Sequence, residues 1–330
     1  MHSYKKDINS YHLIMEAVKD FDTFYTLKVA PLLDQLAAEK KQSSNSIFKV
    51  IVYSILTIAS FIVSIKGLLS PLGAITTVAL FALTVYTIYK ASKFSDKFIN
   101  DFKQSVIAEV IHYLQPDLVY KPDEVVPERE YRQSGLFRRR YDYYYGDDYI
   151  EGVYKGISFH CSEIQTTYLG GRRNTEITIF KGLFFTAKIN AEYKGGTYVW
   201  IKDEEQFGDS IADERYRLLN FPEVFDMKMH DDIFDKYFFV CSTNPTEARK
   251  ILDSDMMRRL LEFRKQIKRK VVISFVMGHC YVAIPIEEDL LEPAEDLEDK
   301  EAVKKYFFTV LLILSIINQL QLMRFTTTPQ

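Results

Sequence analysis

The chain has 330 residues and a formal net charge of −3, so no basic excess marks nucleic acid as a main partner. Its three cysteines, Cys161, Cys241 and Cys280, are odd in number, far apart and lack CxxC spacing, so neither a disulfide framework nor a zinc site is suggested. Reduced thiols half-buried in the strands of a cytosolic domain fit them best, and nothing in the composition asks for a cofactor.

Residues 1–46 predict amphipathic helices and carry no cleavable signal. Ile14, Ala17, Val18, Phe21, Phe24 and Tyr25 recur at helical spacing from Tyr11 onward. Pro31 is expected to break or kink the run, because it lacks an N–H and crowds the preceding turn. Leu32, Leu33 and Leu36 restart a helix up to Lys41, and Ser43–Asn45 reads as a polar hinge.

Residues 47–91 predict a transmembrane hairpin. From Val50 to Tyr89 the only charge is Lys66. The runs Ile47–Ile65 and Leu68–Tyr89 each approach the ~20 residues that cross a hydrocarbon core of ~30 Å. Lys40, Lys41 and Lys49 precede the first run, and Lys90, Lys93, Lys97 and Lys103 follow the second. Positive charge on both outer flanks is expected to place both termini in the cytoplasm. Lys66–Gly73 reads as a tight turn.

Residues 92–133 predict a stalk helix followed by a proline-containing linker. Phe94, Phe98, Phe102, Val106, Val110 and Leu114 recur every fourth residue, and this stripe is expected to pack on the N-terminal one as an antiparallel stalk. Gln115–Gln133, with Pro116, Pro122 and Pro127, reads as extended linker.

Residues 134–330 predict a cytoplasmic α+β domain of mostly antiparallel sheet with packed helices. Tyr149–Tyr154 and Ile157–Ile164 form a hairpin about Lys155–Gly156. Ile177–Ile189 is strand, with Leu183, Phe185, Ala187 and Ile189 on one face and Phe184, Thr186 and Lys188 on the other. Thr197–Ile201 is a further strand. Asn244 caps a helix begun by Pro245, and Ser254 caps the next. Val271–Val276 and Cys280–Pro285 form a second hairpin. Glu287–Glu301, with nine acids in fifteen positions, reads as a solvated loop. Tyr306–Met323 reads as a core helix on the sheet.

Candidate chemistry is sparse. His160 and Glu163 tempt as a pair, but a three-residue offset in a strand puts them on opposite faces. Asp147, Asp148 and Glu151 form an acidic cluster without the spacing of an EF-hand loop. His230, Asp231, Asp232 and His279 read as solvated loop and turn. A tethered hydrolase or nuclease built on His160, Glu163, Asp147 and Asp148 is the alternative function. No metal-ligand set, nucleotide loop or nucleophile motif is present. Arg138, Arg139 and Arg140 precede Tyr143, Tyr144 and Tyr145, and Arg264, Lys265, Lys268, Arg269 and Lys270 form a second basic cluster. In a tethered protein such clusters suit an anionic leaflet, making an anionic-lipid-binding module a third option.

Several spaced segments resemble a bacterial family of two-pass membrane proteins known only as a domain of unknown function. They are Ser134–Phe137, Gly146–Gly152, Phe159–Ile164, Phe180–Phe185, Phe239–Ser242, Glu247–Arg249, Leu252–Leu261 and Ile273–Ala283. Leu291 stands where the pattern expects Phe. The resemblance implies membrane anchoring and an α+β domain, and it supplies no reaction or catalytic residue. The expectation is a non-enzymatic scaffold, sensor or adaptor. It would use the two helices to hold the bilayer and would bind a protein partner or a second copy of itself. Arg138–Arg140, Tyr143–Tyr145 and Phe184 are the candidate recognition residues.

Overall fold

The computed structural model describes residues 20–65, 71–171, 174–189, 193–202, 217–267, 269–294, 296–297, 299–320 and 322. The expected helix before position 20, the Lys66–Ser70 part of the turn, and Lys268 lie outside them. The chain divides into two compact units. One is Val18–Val110 with Glu292–Lys304, and the other is Ile111–Leu291 with Lys305–Gln330.

The helical unit is built on α1 (Asp20–Ile65) and α2 (Gly73–Leu114). Their partners descend from Glu39–Lys97 through Thr57–Thr84 to Ser60–Thr77, so the helices run antiparallel. Phe21, Phe24, Val29, Leu33 and Leu36 are buried on α1, and Phe98, Phe102, Val106, Ile107 and Val110 on α2. Pro31 does not break α1. A π-helical turn, Tyr25–Val29, lies just before it, closed by the Ala30 N–H donating to the Tyr25 carbonyl. No hinge opens at Ser43–Asn45 either: the helix continues and Ser43 is buried. A second π turn, Lys103–Ile107, interrupts α2.

Beyond this packed end the hairpin changes character. The most apolar 18-residue stretch of α1 contains no fully buried residue, and only 11% of that of α2 is buried. Ile47, Phe48, Ile51, Ile55, Ile58 and Phe61 on α1 and Ile75, Val78, Phe81 and Val85 on α2 point outward. Inside, Thr57 Oγ1 meets Thr84 Oγ1 at 2.9 Å, and Ser60 Oγ meets Thr77 Oγ1 at 2.8 Å. A carbonyl of its own helix also lies within reach of each of these threonines, so in each pair one hydroxyl donates across the seam and the other to its own backbone. The seam is therefore polar where the helices touch and apolar where they do not. Both helices are long and apolar enough to cross a membrane by length and composition.

The predicted acidic loop is only partly solvated. Leu297 is buried, Glu292 pairs with Lys103 at 2.5 Å, and Lys40 Nζ donates to the Ala294 carbonyl at 3.0 Å. Lysines of the helices draw in the acidic stretch that composition alone leaves free.

The second unit holds a nine-stranded antiparallel sheet in the order β1-β2-β3-β4-β9-β8-β5-β7-β6. Its strands are β1 (Val119–Lys121), β2 (Tyr143–Tyr154), β3 (Ile157–Gly170), β4 (Thr175–Lys188), β5 (Gly196–Ile201), β6 (Phe225–Met227), β7 (Phe238–Ser242), β8 (Val272–Val276) and β9 (His279–Pro285). Both predicted hairpins are present. Their turns, Lys155–Gly156 and Met277–Gly278, have positive φ at both central residues, the geometry that matches strand twist.

Both faces of the sheet are covered. Leu183, Phe185, Val282 and Ile284 are buried on one side, and Phe180, Phe184, Tyr281 and Ala283 on the other. The segment expected as linker covers the second side. It folds into β1 and α3 (Glu128–Gln133), and Tyr131 of α3 is fully buried against Phe137 and Phe184. Its prolines punctuate these short elements, and Pro127 opens α3.

Three further helices are α4 (Asp232–Tyr237), α5 (Pro245–Ile251) and α6 (Ser254–Ile267). Asn244 caps α5 as expected, its Oδ1 accepting from the Glu247 N–H. The cap of α6 is Asp253 rather than Ser254, since the Met256 N–H donates to Asp253 Oδ1 at 2.8 Å. The last helix, α7 (Lys300–Leu320), starts earlier than the apolar run implies. Half of its most apolar stretch is buried, although its length and composition would also allow a span.

Candidate functional site

Among the described residues, a group of three converging carboxylates lies where β2 and β3 pair. Asp147 pairs with Glu163 across the strands. A bulge follows between Asp147 and Ile150, and Asp148 within it takes φ +58°. Bulges re-aim a side chain, and aspartate tolerates this left-handed conformation better than most residues. Carboxylate oxygens of Asp147, Asp148 and Glu163 thus come within 4.8 Å of one another.

The neighbours of the cluster set its electrostatics. Tyr120 Oη donates to Asp148 Oδ1, and the Leu290 N–H donates to Glu163 Oε2 at 2.9 Å. Burial pushes the Glu163 carboxyl up to about 7 against the lowering effect of the Leu290 bond, and Asp147, Asp289 and Asp148 add to the rise. Like charges opposed across two strands disfavour joint ionisation. Three hard oxygen donors are chemically suited to a divalent cation such as Mg²⁺ or Ca²⁺.

The remaining acid–base candidates go elsewhere. His160 Nε2 meets Glu130 Oε2 at 2.7 Å, and the ring stacks on Tyr149 at 5.7 Å. Glu151 pairs with Lys121 at 3.1 Å and accepts from Tyr149 Oη. Lys121 holds the Glu151 carboxyl below its ordinary range. Asp231 is an N-cap, accepting from the Ile233 and Phe234 amides. His279 Nδ1 lies 3.0 Å from the Met277 carbonyl in the hairpin turn. Cys161 and Cys280 are buried, and burial raises both thiols far above their usual range.

The recognition candidates separate as well. Tyr143 and Tyr145 are exposed on β2 with rings stacked 5.8 Å apart. Tyr144 between them turns inward, donates to the Val126 carbonyl at 2.6 Å and packs against Tyr131. Phe184 is 0% exposed, because the segment around Tyr131 covers the face that alternation assigns to it; it is core and not surface. Arg138 lies over Phe221 and donates to Tyr198 Oη at 3.3 Å, and Arg139 lies 3.8 Å from the Tyr168 ring centroid. Arg140 is exposed. Arg264 lies over Tyr237 at 4.2 Å. Much of the basic charge therefore sits on aromatic rings instead of forming an open array.

Sequence reasoning missed Glu130, Tyr120 and the Leu290 amide as partners. It also grouped the acids along the chain, whereas the bulge regroups them across it. The only local signal was an aspartate pair between two glycines, Gly146 and Gly152.

A comparison with curated proteins returns no match. Among solved structures, the crystal structure of the mycobacterial trehalose monomycolate transport factor A, TtfA, aligns with a TM-score of 0.35 and 10% identity, over 68% of this chain and 97% of that one. Residues 178–322, running from within β4 to the end of α7, match the model of a family described as a protein of unknown function (DUF3137), so this stretch carries a domain of unknown function.

Proposed function

We propose that the chain is a membrane-anchored interaction module of the bacterial inner membrane, with both termini cytoplasmic. The hairpin of α1 and α2 sits in lipid, and the sheet unit acts as a non-catalytic scaffold, sensor or adaptor. The observation that carries this reading is the uncovered apolar girdle from Ile47 to Ile65 on α1 and from Ile75 to Tyr89 on α2. A continuous apolar belt of this extent is unfavourable in water and favourable in hydrocarbon. The stacked, exposed Tyr143 and Tyr145 offer the aromatic surface that protein interfaces favour.

The test is purification of the full-length chain from membranes in mild detergent. Co-elution with a stoichiometric protein, or a defined homo-oligomer, weakened by Tyr143→Ala with Tyr145→Ala, is the expected result. A lone monomer in repeated preparations counts against it.

The convergence of Asp147, Asp148 and Glu163 supports a second reading, a membrane-tethered hydrolase or nuclease using a divalent cation. Titration with Mg²⁺ or Mn²⁺ would give saturable heat, abolished by Asp148→Asn. A flat titration removes this reading.

A further inference from the structure

An open cleft of about 480 Å³ runs between α1 and α2 where the apolar girdle gives way to polar sequence. Lys41, Lys49 and Lys90 line it, together with the amide of Asn45, and no aspartate or glutamate does. Several other lysines of the unit are paired. Lys28, Lys97, Lys103 and Lys300 each hold a carboxylate within ion-pair distance. Among the described residues, Lys41, Lys49 and Lys90 pair with none. A neighbouring cavity of about 400 Å³ is different: two acids, Asp34 and Asp296, share its wall with Lys40 and Lys41.

The inner wall of the cleft changes chemistry along its length. Lys49 and Lys90 stand at the ends of the two apolar runs, while Tyr53, Leu83 and Tyr86 lie deeper along the hairpin. From Lys41 to Tyr53 the helix rises about 18 Å at 1.5 Å per residue. That length takes in a headgroup and the first part of a chain beneath it. Cations above, and the rings of Tyr53 and Tyr86 with Leu83 below, match an amphiphile with a negative head.

Resting on the anchoring proposed above, we infer that this cleft binds the phosphate of an anionic phospholipid of the leaflet around the hairpin. Lys41, Lys49 and Lys90 hold the phosphate oxygens, and Tyr53 and Leu83 lie along the acyl chain. Basic pockets between membrane helices on the cytoplasmic side recognise anionic headgroups in this way. Three cations without an ion-pair partner favour an anionic over a zwitterionic lipid by about a hundredfold.

The experiment titrates full-length protein in mild detergent with phosphatidylglycerol and, separately, with phosphatidylcholine, read by native mass spectrometry. The expected result is about hundredfold tighter binding of phosphatidylglycerol. That preference disappears in the triple variant Lys41→Gln, Lys49→Gln, Lys90→Gln and returns in the triple arginine variant. Lys155→Gln, in the sheet unit, leaves it unchanged. Equal binding of the two lipids by the wild type, or an unaltered preference in the triple glutamine variant, overturns the inference. Displacement of the lipid by excess inorganic phosphate would show an anion site that does not read lipid, and so overturns the lipid assignment. Flotation separates this inference from the anchoring itself. Co-flotation of the wild type and the triple glutamine variant with pure phosphatidylcholine vesicles shows anchoring intact and the variant inserted. Wild-type protein that stays in the aqueous phase without detergent defeats the anchoring, and the cleft proposal with it.

Discussion

Glu163 concentrates the tension in the sheet unit. It is buried, faces Asp147 across the strands, and is held by a single backbone donor from Leu290. Its carboxyl rises to about 7 from an ordinary 4.5. A raised folded-state pKa means the native state holds the proton more tightly than the unfolded chain. The stabilisation is fully present below about 4.5 and is lost as pH rises through about 7, by up to about 3 kcal/mol. Glu163→Gln keeps an acceptor for Leu290 and removes the charge. It should match wild-type stability near pH 4 and exceed it by about 1–3 kcal/mol at pH 8. Urea unfolding followed by the fluorescence of the single tryptophan, the buried Trp200, would measure this. Parallel pH profiles for the two proteins would refute it. Gly182, one residue before Leu183, is constrained by space. Its φ is +141°, and an added Cβ would stand 2.3 Å from the Ile284 carbonyl oxygen and 2.5 Å from the Ile286 nitrogen. Gly182→Ala must strain both strands, and a loss of about 2–4 kcal/mol is expected in the same assay. A loss below 1 kcal/mol would mean that the β4–β9 ladder yields easily.

Elements with a repeating apolar pattern are plain in the sequence, and elements whose surroundings decide them are not. The alternation of Leu183 and Phe185 against Phe184 and Thr186 gives β4 its two faces directly. It cannot say that both faces are covered, because the cover comes from Tyr131, which lies in a proline-rich stretch lacking any period. That is why Phe184 reads as surface in sequence and as core in three dimensions. Pro31 shows the converse. Local rules demand a break, yet packing on both sides of the proline keeps α1 whole through a π turn. The acidic site is hidden for a third reason: a bulge changes which side chains share a face, and it has no one-dimensional signature beyond tolerant residues. The hydroxyl seam of the hairpin belongs with these, since Thr57 and Thr84 are 27 positions apart and meet only because the helices are antiparallel. A double-mutant cycle with Thr57→Val and Thr84→Val should give a coupling of about 0.6 kcal/mol, the average between polar side chains on membrane helices, and no more than about 1.7 kcal/mol. Thermal denaturation in detergent micelles measures it. Strict additivity would show that each hydroxyl is satisfied by its own helix backbone and that the contact contributes nothing.

For the whole molecule, one contrast decides between a chain in lipid and a chain in water. The 19 residues from Ile47 to Ile65 rise about 28 Å, close to the ~30 Å of a hydrocarbon core. Phe81 lies near the middle of the opposite helix and is 61% exposed. In water, Phe81→Arg would remove an exposed apolar group and leave the fold intact or more soluble. In a bilayer it would put a guanidinium near the midplane, which costs about 2.5–3.5 kcal/mol on insertion scales. Lys93→Ala is the control, since Lys93 is exposed on the same helix beyond the apolar run. With both variants expressed at equal level, the Phe81→Arg chain should leave the alkali-resistant membrane fraction or be degraded. The Lys93→Ala chain should stay with the wild type. Equal partition of all three proteins into the soluble fraction would take away the hydrocarbon environment on which the anchoring and the cleft between Lys49 and Lys90 both depend.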